Sequence, residues 1–292
     1  MTETHTRVRT LALLSLFAGA ACIGTSALFV KVSEAGPVST AFWRVFLALP
    51  FLWAWAWWDR RDAAAPAANP RVLLFAAGFF FAGDLAVWHS SIVLTSVANA
   101  TLLANLAPIF VTLAAWVLWR KKPALTFLAG LAAAVAGVML LIGGDFSHTG
   151  KALLGDALGV ITAMFYAAYQ LTVTRLRGTV STAWIMAVSS VVTAALLLPM
   201  ALLSGELFFP ATATGWGKVF ALALISQVAG QSLIAYAMAH LPATLSSVGL
   251  LLQPVMAGLF AWILLGETLG AIAIAGAVLV LIGIRIATQA EK

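Results

Sequence analysis

The run GFFFAGDLAVWHS, residues 78–90, sets a carboxylate (Asp84) and an imidazole (His89) inside one of the most apolar stretches of the chain. One cation, Arg44, lies in a comparably apolar stretch. An ionised side chain at the centre of a bilayer costs about 2.5–3.5 kcal/mol on insertion scales, so such residues take partners and mark solute or proton paths. A guanidinium grips a carboxylate through two parallel hydrogen bonds, and a carboxylate receives an ammonium group. Arg44 and Asp84 therefore suit two arrangements: a fixed ion pair between two helices, or the two ends of a zwitterion such as a free amino acid. Asp84 and His89 are the intramembrane groups able to titrate near neutrality, and so the candidates for proton coupling. A lone histidine near the membrane surface, as His89 is, reads first as an anchor there and only second as a proton relay.

Such chemistry needs a bilayer around it, and the composition supplies the case. Of 292 residues, 63% are hydrophobic and 9% charged, against about 25% charged in a soluble domain. Apolar stretches of roughly 20 residues, each enough to cross a hydrocarbon core of about 30 Å as a helix, recur ten times, at about 11–30, 38–58, 72–93, 99–119, 124–142, 152–173, 182–203, 216–238, 244–265 and 270–287. The expectation is an all-α membrane protein of ten transmembrane helices. Arg7 and Arg9 before LALLSLFAGAAC imitate a secretory signal, but the apolar run continues to Val30, which predicts an uncleaved first helix. The one cysteine, Cys22, excludes a disulfide within the chain and a structural zinc site.

The net charge of +6 does not point to nucleic acid, because the basic residues follow the excess of Lys and Arg in cytoplasmic loops. With the N-terminus inside, that side collects Arg7, Arg9, Arg60, Arg61, Arg71, Arg120, Lys121, Lys122, Arg175, Arg177, Arg285 and Lys292. Lys31, Lys151 and Lys218 fall on the other. Both termini are expected in the cytoplasm, with the chain in a bacterial inner membrane. The Trp53, Trp55, Trp57 and Trp58 cluster before Asp59 reads as an interfacial belt at the cytoplasmic end of the second span.

Shifting the sequence by half its length, about 146 residues, lays NATLLANLAPIFVTLAAWVLWRKKPALTFLAGLAAAVAG from Asn99 over LSSVGLLLQPVMAGLFAWILLGETLGAIAIAGAVLVLIG from Leu245. Pro108 meets Pro254, Trp116 meets Trp262, Gly130 meets Gly276 and Gly137 meets Gly283. VSTAF at Val38 recurs as VSTAW at Val180. Each half, 1–146 and 147–292, holds five spans, and an odd number forces the second repeat to enter the membrane upside down. Inverted repeats let a secondary transporter alternate between two near mirror-image states around a site at mid-depth, so transport is the expected function. Pro108 and Pro254 each remove a backbone hydrogen bond mid-helix and predict a kink that serves as a hinge. The paired glycines of the fifth and tenth spans predict close helix contact, between halves or between protomers.

Candidate solute contacts follow from depth and helical spacing. Asp84 lies roughly 15 Å and Arg44 roughly 10 Å below one membrane surface at 1.5 Å per residue, depths that agree within a side-chain length. Trp88 follows Asp84 by four residues and shares its face, whereas His89 points roughly 140° away. Thr101, Asn105, Pro108 and Thr112 form a stripe on the fourth span, Tyr166, Tyr169 and Gln170 share a face of the sixth, and Gln227 and Gln231 a face of the eighth. Interhelical hydrogen bonds account for such residues one by one. Together with Trp43, Trp88 and Tyr236 they predict an aromatic, amide-lined chamber for a flat apolar side chain bearing a polar head.

The five-plus-five pattern, the repeated proline about nine residues into the fourth and ninth spans, and LAPIFVTLAAWVLWRKK beside LQPVMAGLFAWILLGETL resemble the EamA family of the drug/metabolite transporter superfamily. The likeness spans nearly the whole chain and extends to the family's bacterial exporters of amino acids, aromatic ones in particular. It implies export of a small zwitterionic solute, with no cofactor. Two positions depart from the family pattern. Ile23-Gly24 stands where the first helix often has Trp-Gly, and Gln253, also a candidate solute contact, stands where an acidic residue frequently precedes the second proline.

Motifs of enzymes are absent from the sequence: no HExxH, no GxSxG and no cysteine cluster. GDFSHTGKA, from Gly144, resembles a phosphate loop but has five residues between its glycines and ends in Lys-Ala. No metal site is expected. Other expectations compatible with the same pocket are an exporter of cationic drugs or other metabolites, or a membrane enzyme or receptor built around Arg44 and Asp84.

Overall fold

A computed structural model describes residues 3–59, 70–95, 97–120, 122–143, 150–176, 179–266 and 270–290. Arg60, Arg61, Lys121, Arg177 and Lys292, used in the charge count above, lie outside the described residues, as does the 144–149 part of the loop resembling a phosphate loop. Ten helices are long and apolar enough to cross a membrane: α1 (Arg7–Lys31), α2 (Pro37–Asp59), α3 (Arg71–Ile92), α4 (Asn99–Trp119), α5 (Leu125–Ile142), α6 (Lys151–Leu176), α7 (Thr182–Leu203), α8 (Ala213–His240), α9 (Ala243–Leu264) and α10 (Ala271–Ala290). Among the described residues there is no strand. Side chains such as Val117 on α4 and Ile272 on α10 stand about three-quarters exposed, a surface for lipid rather than water.

The helices form two inverted repeats of five, and their main contacts run between the repeats in symmetric pairs. α3 lies against α6 as α8 lies against α1, α4 meets α6 as α9 meets α1, and α2 with α7 and α5 with α10 pair across the pseudo-twofold. One apolar core is thus assembled from both halves: Leu16 of α1, Leu52 of α2, Phe81 of α3, Val173 of α6, Leu197 of α7 and Ile234 of α8 belong to a single buried cluster.

In hydrocarbon, apolar side chains gain little by leaving lipid for one another, so close backbone approach carries helix association. The α5–α10 pair shows this directly. A Cβ on Gly130 would lie 2.6 Å from the Ala287 nitrogen, one on Gly137 2.6 Å from the Val280 nitrogen, and one on Gly276 2.5 Å from the Leu141 nitrogen. Gly283 faces the backbone of Gly130 and Ala134 in the same way. Of the two alternatives, contact between halves is the one present.

Three helices are not continuous. α1 breaks at Thr25, between Glu3–Gly24 and Ser26–Lys31, where Thr25 turns its hydroxyl back to the Cys22 carbonyl at 2.7 Å. α4 divides into Val97–Ala104 and Ala107–Trp119, and α9 into Ala243–Gly249 and Leu252–Leu265. Full interruption replaces the kink expected at Pro108 and Pro254. Each proline falls in the first turn of the second piece, where a missing N–H costs nothing because those donors have no helical acceptor. The connecting turns tighten to i−3 bonds, Leu106 N–H to Leu103 and Leu251 N–H to Val248. A fourth helix, α8, is continuous but π-helical from Ala223 to Gln231.

At one end of the bundle the α1–α2 and α7–α8 connections are tied together. Glu34 accepts the Thr212 N–H at 2.9 Å and its hydroxyl at 2.6 Å. Glu206 accepts the Val38 N–H at 3.0 Å at the start of α2, where a carboxylate suits the unpaired donors of a helix N-terminus. Thr212's two donors hold the exposed Glu34 carboxyl below its ordinary value. A depressed carboxyl stabilises the fold above its unfolded pKa and loses that effect as pH falls through the folded one. The thermal-stability advantage of wild type over Glu34→Gln is therefore expected to be full at pH 7 and to be lost progressively as pH falls below about 4.3, the ordinary glutamate value. A constant difference across that range would refute the assignment.

Candidate functional site

A cavity of about 130 Å³ opens at mid-depth among α1, α2, α3, α4, α6, α8 and α9. The four irregular helices all reach it: Ser26 and Ala27 follow the break in α1, Ala104 and Asn105 stand at the break in α4, Gln231 ends the π-helical part of α8, and Gln253 and Pro254 follow the break in α9. Interrupting a helix in the membrane leaves backbone groups without partners, tolerated only against protein or a cavity. At the break in α4 the Thr101 carbonyl accepts both the Asn105 N–H at 3.1 Å and the Asn105 side-chain amide at 2.7 Å.

Arg44 and Asp84 both line this cavity. Arg44 is 6% exposed, and its Nε donates to Gln227 Oε1 at 3.2 Å. Gln227, wholly buried, is itself within 3.5 Å of Ser190 Oγ through Nε2. That relay fixes one side of the guanidinium and leaves the rest for the cavity. Among the described residues the Asp84 carboxylate receives no hydrogen bond, and no direct ion pair joins it to Arg44, though their charges are close enough to interact. The wall thus presents a guanidinium and a carboxyl group that no direct contact joins.

An aromatic stack forms another side. Phe81 lies 4.9 Å from Tyr169, which is parallel to Tyr166 at 6.2 Å. Phe81 and Tyr166 line the cavity with Trp88, and the Tyr166 hydroxyl accepts from Gln253 Nε2 at 3.4 Å. Two further wall atoms, Thr101 Oγ1 and Gln231 Oε1, are buried with no hydrogen-bond partner. Buried polar atoms ordinarily have one.

The other expected contacts fall elsewhere. Trp43 faces away from Arg44, donating Nε1–H to the Phe208 carbonyl at 2.8 Å and crossing Trp216 at 4.9 Å. Adjacent residues on a helix lie about 100° apart, which is why the neighbour of a cavity residue serves the helix junction. Tyr169 is buried behind Tyr166, and Gln170 is buried further along α6 with Oε1 unpaired. Gln227 touches Arg44 from behind. Tyr236, beyond the π-helical segment, lies beside His240 at 4.4 Å. His89 is buried behind Trp88, its Nδ1 at 2.5 Å from the Leu85 carbonyl and its Nε2 without a partner.

Sequence reasoning passed over Gly24, Ser26 and Ala27 of the broken α1, and Thr162 of α6, all in the cavity wall. The run Gly24-Thr25-Ser26 was the available signal. It also passed over Asp156, a buried carboxylate in α6 that accepts the Thr95 hydroxyl at 2.7 Å and lies 3.4 Å from Asn99 Nδ2. Asp84 and His89 are therefore not alone as titratable groups within the spans. Among the described residues no cluster of His, Cys, Asp and Glu has the makings of a metal site.

Comparison with known proteins gives three findings. The family described as EamA-like transporter family matches residues 10–143 and again 153–289. An uncharacterized transporter of Archaeoglobus fulgidus is 26% identical over 275 residues, 91% of this chain and 93% of the relative. A crystal structure of a protein 17% identical in sequence superposes with a TM-score of 0.78, covering 100% of this chain and 98% of that one, a likeness of fold.

Proposed function

The chain belongs to the EamA-like transporter family and is a membrane transporter on that ground; from this premise we propose that its solute is a zwitterionic amino acid with an aromatic or apolar side chain, exported by alternating access. The observation that carries the reading is the unjoined Arg44 and Asp84 on one small cavity. Arg44 takes the carboxylate of the solute, Asp84 its ammonium group, and the Phe81–Tyr169–Tyr166 stack its flat side chain. Size argues in the same direction. A cavity of roughly 150 Å³ holds benzene, whereas drug-sized ligands occupy about 300–1,000 Å³; about 130 Å³ suits part of an amino acid and not a large cationic drug.

Alternation follows from the repeat. A second cavity of about 550 Å³ lies at the end of the bundle that carries the chain termini, bounded in part by Thr112, Lys122, Thr174 and Thr244. The stripes Thr101, Asn105, Thr112 on α4 and Tyr166, Gln170, Thr174 on α6 run from the first cavity to the second. Packing of Phe110 and Val111 on Ala167 and Leu171 closes the way between them. By the same repeat Met256 and Ala257 of α9 and Thr25 and Phe29 of α1 are the corresponding positions toward the other end, where Met256 and Ala257 lie against Gly24 of α1. Opening these two contacts in turn moves the solute, with the breaks at Leu106 and Leu251 taking up the bend. The excess of positive residues at the end that carries the termini supports a cytoplasmic setting for that end.

Counterflow in liposomes tests this. Purified protein loaded with unlabelled phenylalanine is expected to accumulate labelled phenylalanine saturably and transiently. Absence of exchange for a panel of twenty amino acids would refute the substrate class. Exchange of an organic cation lacking a carboxylate at an equal rate would refute the role given to Arg44, and a chemically altered solute would mark an enzyme.

A further inference from the structure

A groove of about 560 Å³ on the membrane-facing side of the protein is bounded by Phe17 of α1, Leu252 of α9, and Leu281, Ile284, Arg285, Thr288 and Gln289 of α10. Its residues are ordered by depth. From the end of α10 at Ala290, Gln289, Thr288 and Arg285 lie within roughly 8 Å of the surface at 1.5 Å per residue, and Leu281 roughly 14 Å below it. Phe17 and Leu252, counted from Arg7 and Ala243 where their spans start, also lie roughly 14–15 Å deep. The polar end is at the surface and the apolar end near mid-bilayer, which is the polarity profile of one lipid in one leaflet of a hydrocarbon core about 30 Å thick.

Arg285 adds charge to that profile. It is exposed, it belongs to a membrane span, and among the described residues no acceptor, carboxylate or ring engages its guanidinium. A cation in this position turns its head toward the interface, and the anionic partner it lacks within the protein is present on acidic headgroups.

We propose that this groove is a binding site for an anionic glycerophospholipid, its phosphate on Arg285 with Thr288 and Gln289 beside it, and an acyl chain along Ile284, Leu281, Leu252 and Phe17. The site is separate from the solute cavity and does not depend on what is transported. A single cation at the membrane surface is worth a factor of roughly five toward acidic lipid.

The test is native mass spectrometry of the full chain in mild detergent with equal amounts of phosphatidylglycerol and phosphatidylcholine of identical chains. Wild type is expected to retain phosphatidylglycerol roughly fivefold over phosphatidylcholine. Arg285→Gln should bring the two near parity, Arg285→Lys should keep most of the preference, and Leu281→Trp, which fills the groove, should lower retention of both. Arg175→Gln, removing an exposed cation at the end of α6, should change nothing. Parity in wild type, a preference that survives Arg285→Gln, or equal loss in Arg175→Gln would each overturn the proposal. A dimer carrying no lipid, with a second copy covering the groove, would overturn it as well.

Discussion

Arg44→Gln is expected to weaken amino-acid binding by roughly a hundredfold, measured as the solute concentration that half-saturates counterflow, while the folded protein is recovered in normal amount. Truncating one member of a buried, hydrogen-bonded charge pair costs about 3 kcal/mol, and that is a factor of roughly a hundred. Gln227 keeps its Nε2 contact to Ser190, and the amide of the introduced glutamine replaces the donor that its Oε1 loses. Arg44→Lys keeps the charge but not the planar fork, so a loss of roughly tenfold is expected. Asp84→Asn should weaken binding of the ammonium end. If the pair is coupled to protons, it should also abolish the response to a pH gradient while exchange survives. Trp43→Phe, outside the cavity wall, should leave half-saturation unchanged. Were the two charges purely structural, each single variant would lower the yield of folded protein and the Arg44→Gln, Asp84→Asn double variant would restore both yield and transport. Normal transport in the double variant would refute the proposed site.

The second large effect belongs to the α5–α10 seam. Gly137→Leu is expected to destabilise the protein by more than about 3 kcal/mol, at or beyond the usual range for overpacked cores, because its side chain would meet backbone that has no rotamer to adopt. The Cβ alone would lie 2.6 Å from the Val280 nitrogen and 2.7 Å from the Gly276 carbonyl. Thermal unfolding in detergent should show a drop of many degrees or no monodisperse protein at all. Gly217→Leu, at a position with nothing within 4 Å, is the control and should leave the melting temperature in place. Equal melting of the two variants would show that the close approach of these helices contributes little.

The ten spans and their inverted repetition were legible because length, apolar content and rare residues such as Pro108 and Pro254 survive averaging over a window. The meeting of Arg44 and Asp84 on one cavity was legible for a related reason: depth counted along two helices needs no knowledge of how they rotate. Rotation is what the linear pattern carried poorly. Trp43 adjoins Arg44 in sequence yet serves the junction with Phe208, and Tyr236 lies past a segment wound at i+5 rather than i+4, so its facing could not be counted from Gln231. Breaks were hidden too. Thr25 interrupts α1 inside a span that stays apolar enough to cross a membrane, and a proline announces a lost donor but not whether the helix bends or stops. Asp156 escaped notice because it sits five residues inside α6, where a carboxylate passes for the end of a loop.

Since the main contacts run from one repeat to the other, neither half has a completed interior while it is being made. α5 ends at Ile142 and its partner α10 begins at Ala271, so the ribosome lays down roughly 130 residues between them, some 6 to 26 seconds at about 5–20 residues per second. For that interval the glycine face of α5 borders lipid or the insertion machinery, and a chain halted before α10 would be a substrate for membrane quality control.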